Sequence, residues 1–338
     1  MSGSPPEHER FARDALRRYG RPADSTLRLL GLPENTTFLA GEHEDPLVLR
    51  IHRPGYHSLP AIRSELAWMT ALRAQTPVAT PAVVPALDGS EVVVVQVGDT
   101  ARNVAAMTFI PGDTAERNPD EVGFDQLGRI TAVMHHHSRT WTPPAGFTRF
   151  RWDLDSTLGR DARWGDWRRG PGLTDIDRDW IQRAADDITE RLTRYGTGPA
   201  NFGLVHGDLR LANLMVDPAV RGGPITVIDF DDCGWSWYLA DLGAAVSFIE
   251  DTPTGERIIA DWLRGYREVT TVSDEELLLI PCFVMLRRIM LTAWVASHPD
   301  ADSALGAGAN FAPNTARLAQ RYLCDLNWLQ NCIFGSHV

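Results

Sequence analysis

The chain has 338 residues, 43% of them hydrophobic and 23% charged, with a formal net charge of −11. This is the composition of an ordinary globular protein, and its length exceeds that of a usual single core, so two lobes around a cleft are expected. The acidic balance argues against a nucleic-acid surface, which would show clustered positive charge. No run of about 18 apolar residues stands out, so no membrane-spanning helix is expected. The polar start MSGSPPEHERFARD lacks the apolar core of a secretory signal. Cys233, Cys282, Cys324 and Cys332 form neither a CxxC pair nor a disulfide framework, which suits a reducing cytoplasm. All 33 basic residues are arginine.

Taken in chain order, Phe11, Ala15 and Tyr19 fall at helical spacing within residues 7–19, and Gly20 stops that helix. Residues 27–30 and 37–40 read as short strands. Residues 47–52 alternate, which puts Val48, Arg50 and His52 on one face of a strand. Residues 59–73 form a helix with Ile62, Leu66, Met69 and Leu72 on its buried side. Residues 92–97 and 105–110 make a hairpin pair ended by Pro111-Gly112. A small β-rich lobe therefore occupies 1–111. Residues 112–338 read as a larger, mainly helical lobe, with helices at 124–137, 176–195, 237–250, 255–266, 274–297 and 315–332. Residues 160–172, rich in Arg, Gly and Trp, read as an irregular connection.

One segment of the second lobe carries most of the chemistry. LVHGDLRLANLMVD is followed by a Gly-Gly turn at Gly222 and Gly223 and then by ITVIDFDD. The apolar runs 214–216 and 225–228 on either side of the turn predict a hairpin. Such a hairpin brings Asn213, entering one strand, beside Asp229, leaving the other, with Asp208 nearby. The H-x-D-x-x-x-x-N spacing and the later Asp match the arrangement for phosphoryl transfer: Asp208 as base, Asn213 and Asp229 as ligands of Mg²⁺. That cation takes few protein oxygens and completes its shell with water and substrate phosphate. Asp231 is a further possible contact. Turn and cap chemistry explains a lone Asp-Asn pair equally well, but not all three residues at this spacing.

The sequence His206-Gly207-Asp208, with glycine where protein kinases usually carry arginine, resembles the aminoglycoside phosphotransferase–choline kinase superfamily. IDFDDCGWSWYLADLG, RIHRPGYHS and IRSELAW add to the match, which is nearest to the homoserine-kinase-like and stress-response-kinase-like branch and covers roughly residues 26–298. The resemblance implies an α+β, bilobal, protein-kinase-like fold. It also implies an ATP- and Mg²⁺-dependent transfer of the γ-phosphate to a hydroxyl. The phosphate acceptor is left open.

Arg50 stands where a kinase strand lysine would hold the α- and β-phosphates. Glu65 on the next helix faces the apolar side and so needs a cation, for which Arg50 is the topological candidate. A planar guanidinium can hold carboxylate and phosphate together. By the same alternation Val48 faces the adenine. The resemblance further assigns residues 31–38, including Asn35 and Thr36, to a loop over the phosphates. It assigns the backbone around Met107 and Phe109 to the adenine edge, Met215 to the space beneath the ring (an apolar strand residue that fits plain core equally well), and Arg210 to the γ-phosphate. His206 and Asp241 are expected to hold the catalytic loop. Adjacent helical positions point His135, His136 and His137 in different directions, against a metal triad.

The leading reading is a kinase of a small hydroxylated metabolite or antibiotic, with no nucleic-acid or membrane partner. Trp152, Trp164, Trp167, Trp235 and Trp237 are candidate substrate walls or core, and Asp153, Asp155 and Asp232 could pair an amine on the acceptor. A Ser/Thr protein kinase is an alternative, disfavoured because no activation loop follows Asp229. A non-catalytic nucleotide-binding regulator is a third reading.

Overall fold

A computed structural model describes residues 5–32, 35–41, 45–118, 122–217, 219 and 223–334. The chain divides into two compact units. The first comprises residues 1–113, 142–149 and 215–231, the second 114–141, 150–214 and 232–338. The fold is α+β, with a sheet-based N-terminal region and a helical C-terminal region.

In the first unit an antiparallel sheet runs in the order Leu27–Gly31, Thr36–Ala40, Leu47–Ile51, Thr100–Thr108, Val83–Val84, and Val92–Val97 also pairs with Thr100–Thr108. Period-two alternation sorts the central strand. Leu47, Leu49 and Ile51 enter the core with Phe38, Val93, Val104 and the helix residues Phe11, Ala15 and Leu16, so Val48 and Arg50 project from the other face. Ser58 caps the Leu59–Gln75 helix by accepting from the Ala61 amide, and Pro60 fits its first turn. Its inner side buries Ile62, Glu65, Leu66, Met69 and Leu72.

A second sheet orders Thr226–Val227, Leu214–Val216 and Asp113–Thr114. Leu214–Val216 and Thr226–Val227 are the strands expected on either side of the glycine turn, Thr226–Val227 being shorter than the expected 225–228. Of that turn, Gly222 lies outside the described residues, as do Pro33 and Glu34 of the expected phosphate loop.

The second unit is built on helices, chief among them Phe124–Thr140, Asp175–Tyr195, Pro253–Arg267, Asp274–Ser297 and Phe311–Cys324. Asp274–Ser297 is long and apolar enough to cross a membrane by length and composition, but 83% of its apolar stretch is buried inside the protein, as befits a core helix. At Gly265 of the Pro253–Arg267 helix, an added Cβ would meet the Asp125 carbonyl of the Phe124–Thr140 helix at 1.8 Å; only hydrogen allows these two backbones to approach so closely.

Three expectations need correction. Trp237 ends a strand, Gly234–Trp237, which pairs antiparallel with Phe202–Val205, and the helix that follows is only Ala240–Ala245. The tryptophan-rich spacing resembled a helix because both faces of this strand are covered, leaving no polar alternation. The expected helix at 315–332 is two helices, Phe311–Cys324 and Gln330–Phe334. The connection at 160–172 contains a short 3₁₀ turn, Trp167–Arg169, capped by Asp166.

Candidate active site

In the second unit the strand Phe202–Val205 delivers the chain to His206-Gly207-Asp208. Gly207 has φ +82°, and a Cβ there would lie 2.5 Å from the Asp232 carbonyl. Positive φ and lack of space together explain why glycine fills this position. Asp241, buried at the start of the Ala240–Ala245 helix, accepts from the His206 amide at 3.1 Å and the Gly207 amide at 2.8 Å. His135 lies 3.1 Å from Asp241 through Nε2 and 2.9 Å from the Tyr266 hydroxyl through Nδ1. Burial pushes the His135 pKa down in spite of the Asp241 carboxylate. The Asp241 carboxyl is pushed up by burial and drawn below its usual range by His135, His206 and the Gly207 amide. Asp241 thereby fixes the backbone that presents Asp208.

Asp208 gathers three donors. Arg287 Nη2 donates to Oδ1 at 2.5 Å, Asn213 Nδ2 to Oδ2 at 2.9 Å, and Arg210 Nε to Oδ2 at 3.3 Å. Burial raises its pKa, and Arg210, Arg287 and His206 outweigh that and hold the carboxyl below its usual range. The 3₁₀ turn Leu211–Asn213 closes with the Asn213 amide on the Arg210 carbonyl at 2.9 Å. Asn213 Nδ2 also donates to the Asp208 carbonyl at 2.8 Å. With its nitrogen committed to Asp208, the side-chain oxygen is the end left to meet a cation. Arg210 Nη1 reaches Glu116 at 3.2 Å, so Arg210 links two carboxylates.

In the first unit Arg50 is buried and donates to Glu65, which is fully buried. Its other terminal nitrogen is 3.9 Å from Asp229. Burial works against the Arg50 charge, and Glu65, Asp231 and Asp229 more than offset it, raising the guanidinium pKa. Asp229 has φ +60°, a conformation uncommon outside glycine that aspartate tolerates better than most residues and that clusters at functional sites. Its side chain is 51% exposed, whereas its neighbours Phe230 and Asp231 are buried. Phe230 packs edge-to-face on Trp68, with centroids 5.5 Å apart. Asp231 sits among cations: Arg53 at 3.6 Å and His57 at 3.4 Å. Burial pushes its carboxyl up, and His57, Arg50 and His52 draw it well below the usual range.

The other expected nucleotide contacts lie in the same unit. Val48, half-buried, stands opposite Met107 in the sheet register; Phe109 and Met215 are half-buried. Asn35 Oδ1 accepts from the Arg53 amide at 3.1 Å, which leaves its NH₂ as a donor. The Thr36 hydroxyl is buried and bonded to His8 Nδ1 at 3.0 Å, so that side chain is turned to the N-terminal helix and not to a phosphate.

Of the aromatic candidates, Trp152, Trp164, Trp167 and Trp237 are buried, and Trp235 is half-buried in its strand. Asp153 caps the Leu154–Leu158 helix by accepting from the Ser156 amide, while Asp155 is exposed and Asp232 half-buried. The three adjacent histidines diverge: His135 meets Asp241, His136 is exposed, and His137 stacks on Trp141.

Two residues escaped the sequence reading. Arg287 touches Asp208 from 79 positions away, and the signal was a pair of arginines in the middle of the most apolar helix, where a buried charge demands a partner. Arg149, also buried, donates to the carbonyls of Ala61 and Asp231 and lies 3.9 Å from Glu65. Together with the Thr148 amide on Ser64 Oγ at 2.8 Å, it ties the Leu59–Gln75 helix to the segment that carries Asp229.

Comparison with known proteins gives this geometry a setting. Residues 26–277 match the pattern of the phosphotransferase enzyme family. The amicoumacin kinase of Bacillus subtilis (strain 168) is 26% identical over 297 residues, 84% of this chain and 83% of that protein. The solved structure of a microcompartment-associated aminopropanol kinase is 42% identical, with a TM-score of 0.85 over 92% of this chain and 96% of the other. An amicoumacin kinase solved with AMP-PNP, Ca²⁺ and its antibiotic is 20% identical, with a TM-score of 0.67 over 88% of this chain and 87% of the other.

Proposed function

This chain belongs to the phosphotransferase enzyme family, within the aminoglycoside phosphotransferase–choline kinase superfamily, and we propose on that footing that it moves the γ-phosphate of ATP to the hydroxyl of a small amine-bearing alcohol. The observation that carries the reading is the Asp208 carboxylate, fixed by Arg287, Asn213 and Arg210 on a loop that Asp241 anchors. A carboxylate held this firmly and kept ionised is suited to orient an acceptor hydroxyl and receive its proton. Catalysis by positioning and electrostatics asks no covalent chemistry of the protein.

Arg50, oriented by Glu65, supplies positive charge for the nucleotide phosphates from the first unit, and Asn35, Val48, Met107, Phe109 and Met215 belong to the same nucleotide-binding region, residues 1–111 with Met215 added. Asn213 and Asp229 would hold Mg²⁺: one amide oxygen and one half-exposed carboxylate fit a cation that takes few protein ligands. The bound ion would neutralise charge on the phosphate oxygens. The amine-bearing acceptor is favoured by the 42% identity to an aminopropanol kinase. A Ser/Thr protein kinase is disfavoured by the strand Gly234–Trp237, which begins five positions after Asp229 and leaves no room for an activation loop.

ATP consumption with Mg²⁺ against a panel of short amino alcohols, hydroxy-amino acids and aminoglycosides tests the proposal. Turnover highest with an amino alcohol is the expected result. Turnover only with seryl or threonyl peptides would replace it with the protein-kinase reading, and nucleotide binding without turnover on any acceptor would replace it with the regulator.

A further inference from the structure

We infer that Arg287 is the positioning residue of the phosphoryl-transfer base: a guanidinium supplied by the core helix Asp274–Ser297 that fixes Asp208 in one rotamer and reserves one oxygen position for the acceptor hydroxyl. The inference rests on the kinase reading above and goes beyond it.

Its first support is placement. Arg287 projects from a helix in which 16 residues are buried, and its side chain is 6% exposed. A charge taken that far from water is tolerated only when paired and hydrogen-bonded. The next residue, Arg288, meets that demand with Glu250 at 2.9 Å, Thr315 at 2.9 Å and the Phe311 carbonyl at 3.3 Å, groups remote in sequence from the catalytic loop. Arg287 meets it with the catalytic loop itself. Nη2 donates to Asp208 Oδ1 at 2.5 Å, Nη1 to the Gly207 carbonyl at 3.0 Å, and Nε to Ser247 Oγ at 2.9 Å. The guanidinium also lies 4.9 Å from the centre of the Trp164 ring. Three nitrogens held in three directions fix the fork, and the fork fixes the carboxylate.

The second support is an account of acceptor positions. An ionised carboxylate offers about four lone-pair sites, two on each oxygen. Arg210 and Asn213 take both on Oδ2, and Arg287 takes one on Oδ1. Among the described residues no donor takes the remaining Oδ1 site, which is then the place for the acceptor hydroxyl. Arg287 thus sets both the direction of the base and which oxygen acts. A cavity of about 20 Å³ borders Arg287, lined also by Trp152, Gly207, Ser236, Phe283 and Met290. It has room for a single water.

The test combines kinetics with stability. With MgATP and 1-amino-2-propanol as acceptor, and with water as acceptor in the slow background hydrolysis, Arg287→Met should lower kcat by about 10²-fold, the loss expected of a misplaced reacting group. The KM for ATP should stay within about threefold, because the interaction lost belongs to the transition state. Arg287→Lys should recover only part of kcat, since an ammonium lacks the fork. Guanidinium ion added to Arg287→Ala should restore activity that it does not restore to Arg210→Ala. In urea unfolding, Asp208→Asn and Arg287→Met should be non-additive in a double-mutant cycle. An active parent whose Arg287→Met variant keeps its kcat would overturn the clamp alone, and so would additive unfolding effects. A parent inactive on every acceptor and on water would overturn the kinase reading beneath it.

Discussion

Each unit contains a buried arginine–carboxylate pair, and the two are put to opposite uses. In the first unit the carboxylate is the support: Glu65 is fully buried and holds Arg50, whose second terminal nitrogen turns toward half-exposed Asp229. In the second the arginine is the support: Arg287 is 6% exposed and holds Asp208, which is 19% exposed. In both pairs the drier partner comes from a helix and the working partner from a strand or the loop that follows one. The rule this suggests is that a helix, rigid and packed along one side, supplies the fixed charge. The strand end supplies the charge that we propose meets substrate. A charge can be both buried and available only if another side chain has already given up its freedom to hold it.

The comparison can be broken first at its working ends. Asp208→Ala should reduce phosphoryl transfer by at least the 10²–10⁴-fold that a positioned base contributes, about as much as any single change. It should also lower stability, because Arg287 is left buried without its partner. Single-turnover kinetics and urea unfolding on the same sample would check both, and full activity would remove Asp208 from the mechanism.

Next comes the support of the other pair. Glu65→Ala strands Arg50 in the core and should cost about 3–5 kcal/mol of unfolding free energy, together with nucleotide affinity. Calorimetry with and without nucleotide separates the two losses. A change confined to stability would mean that Arg50 does not serve the phosphates.

Asp229→Ala should weaken Mg²⁺-dependent nucleotide binding far more than metal-free binding, since its carboxylate is proposed to reach the nucleotide through the ion. With a half-exposed side chain it should cost little stability. Matching Mg²⁺ titrations for variant and parent would refute the assignment.

The smallest effect is on pH. Burial lowers the pKa of His52 in the first unit and of His135 in the second from the ordinary 6.5. The unfolded chain therefore takes up protons that the native one refuses as pH falls below about 6.5. Stability should be full above that value and decline as pH drops toward the native pKa values, by at most about 1.4 kcal/mol per pH unit for each histidine. Among the described residues neither ring nitrogen of His52 has a hydrogen-bond partner, whereas His135 has two. His52→Leu should flatten its share of the slope at little cost, and His135→Leu should flatten its share while loosening Asp241. Unfolding midpoints between about pH 7.5 and 5.5 measure both.

What the sequence disclosed divides along the same line. Arg50 with Glu65, and Asp208 with Asn213, could be placed because alternation in a strand, spacing on a helix and a short loop fix their directions locally. Arg287 and Arg149 could not, since their partners lie far along the chain and nothing in a nearby pattern names them. The strand Phe202–Val205 was missed for a related reason: all four residues are buried, so no polar alternation marks it. Thr36 was expected in the loop before the strand at 37–40; it opens the strand Thr36–Ala40 instead, and its hydroxyl answers to His8, a contact set by how the first helix packs.

The first unit is not one stretch of chain. Residues 142–149 and 215–231 return to it after long absences, bringing Arg149 to the Ala61 carbonyl and Phe230 to Trp68. A nascent chain that has cleared the ribosome only as far as residue 113 holds the sheet and the helix bearing Glu65, but not the residues that close over them. This unit must therefore wait, incompletely assembled, until two-thirds of the polypeptide has been made. A recombinant fragment ending at residue 113 should expose Trp68 and bind apolar dyes, and adding the later segments in trans should quench that binding.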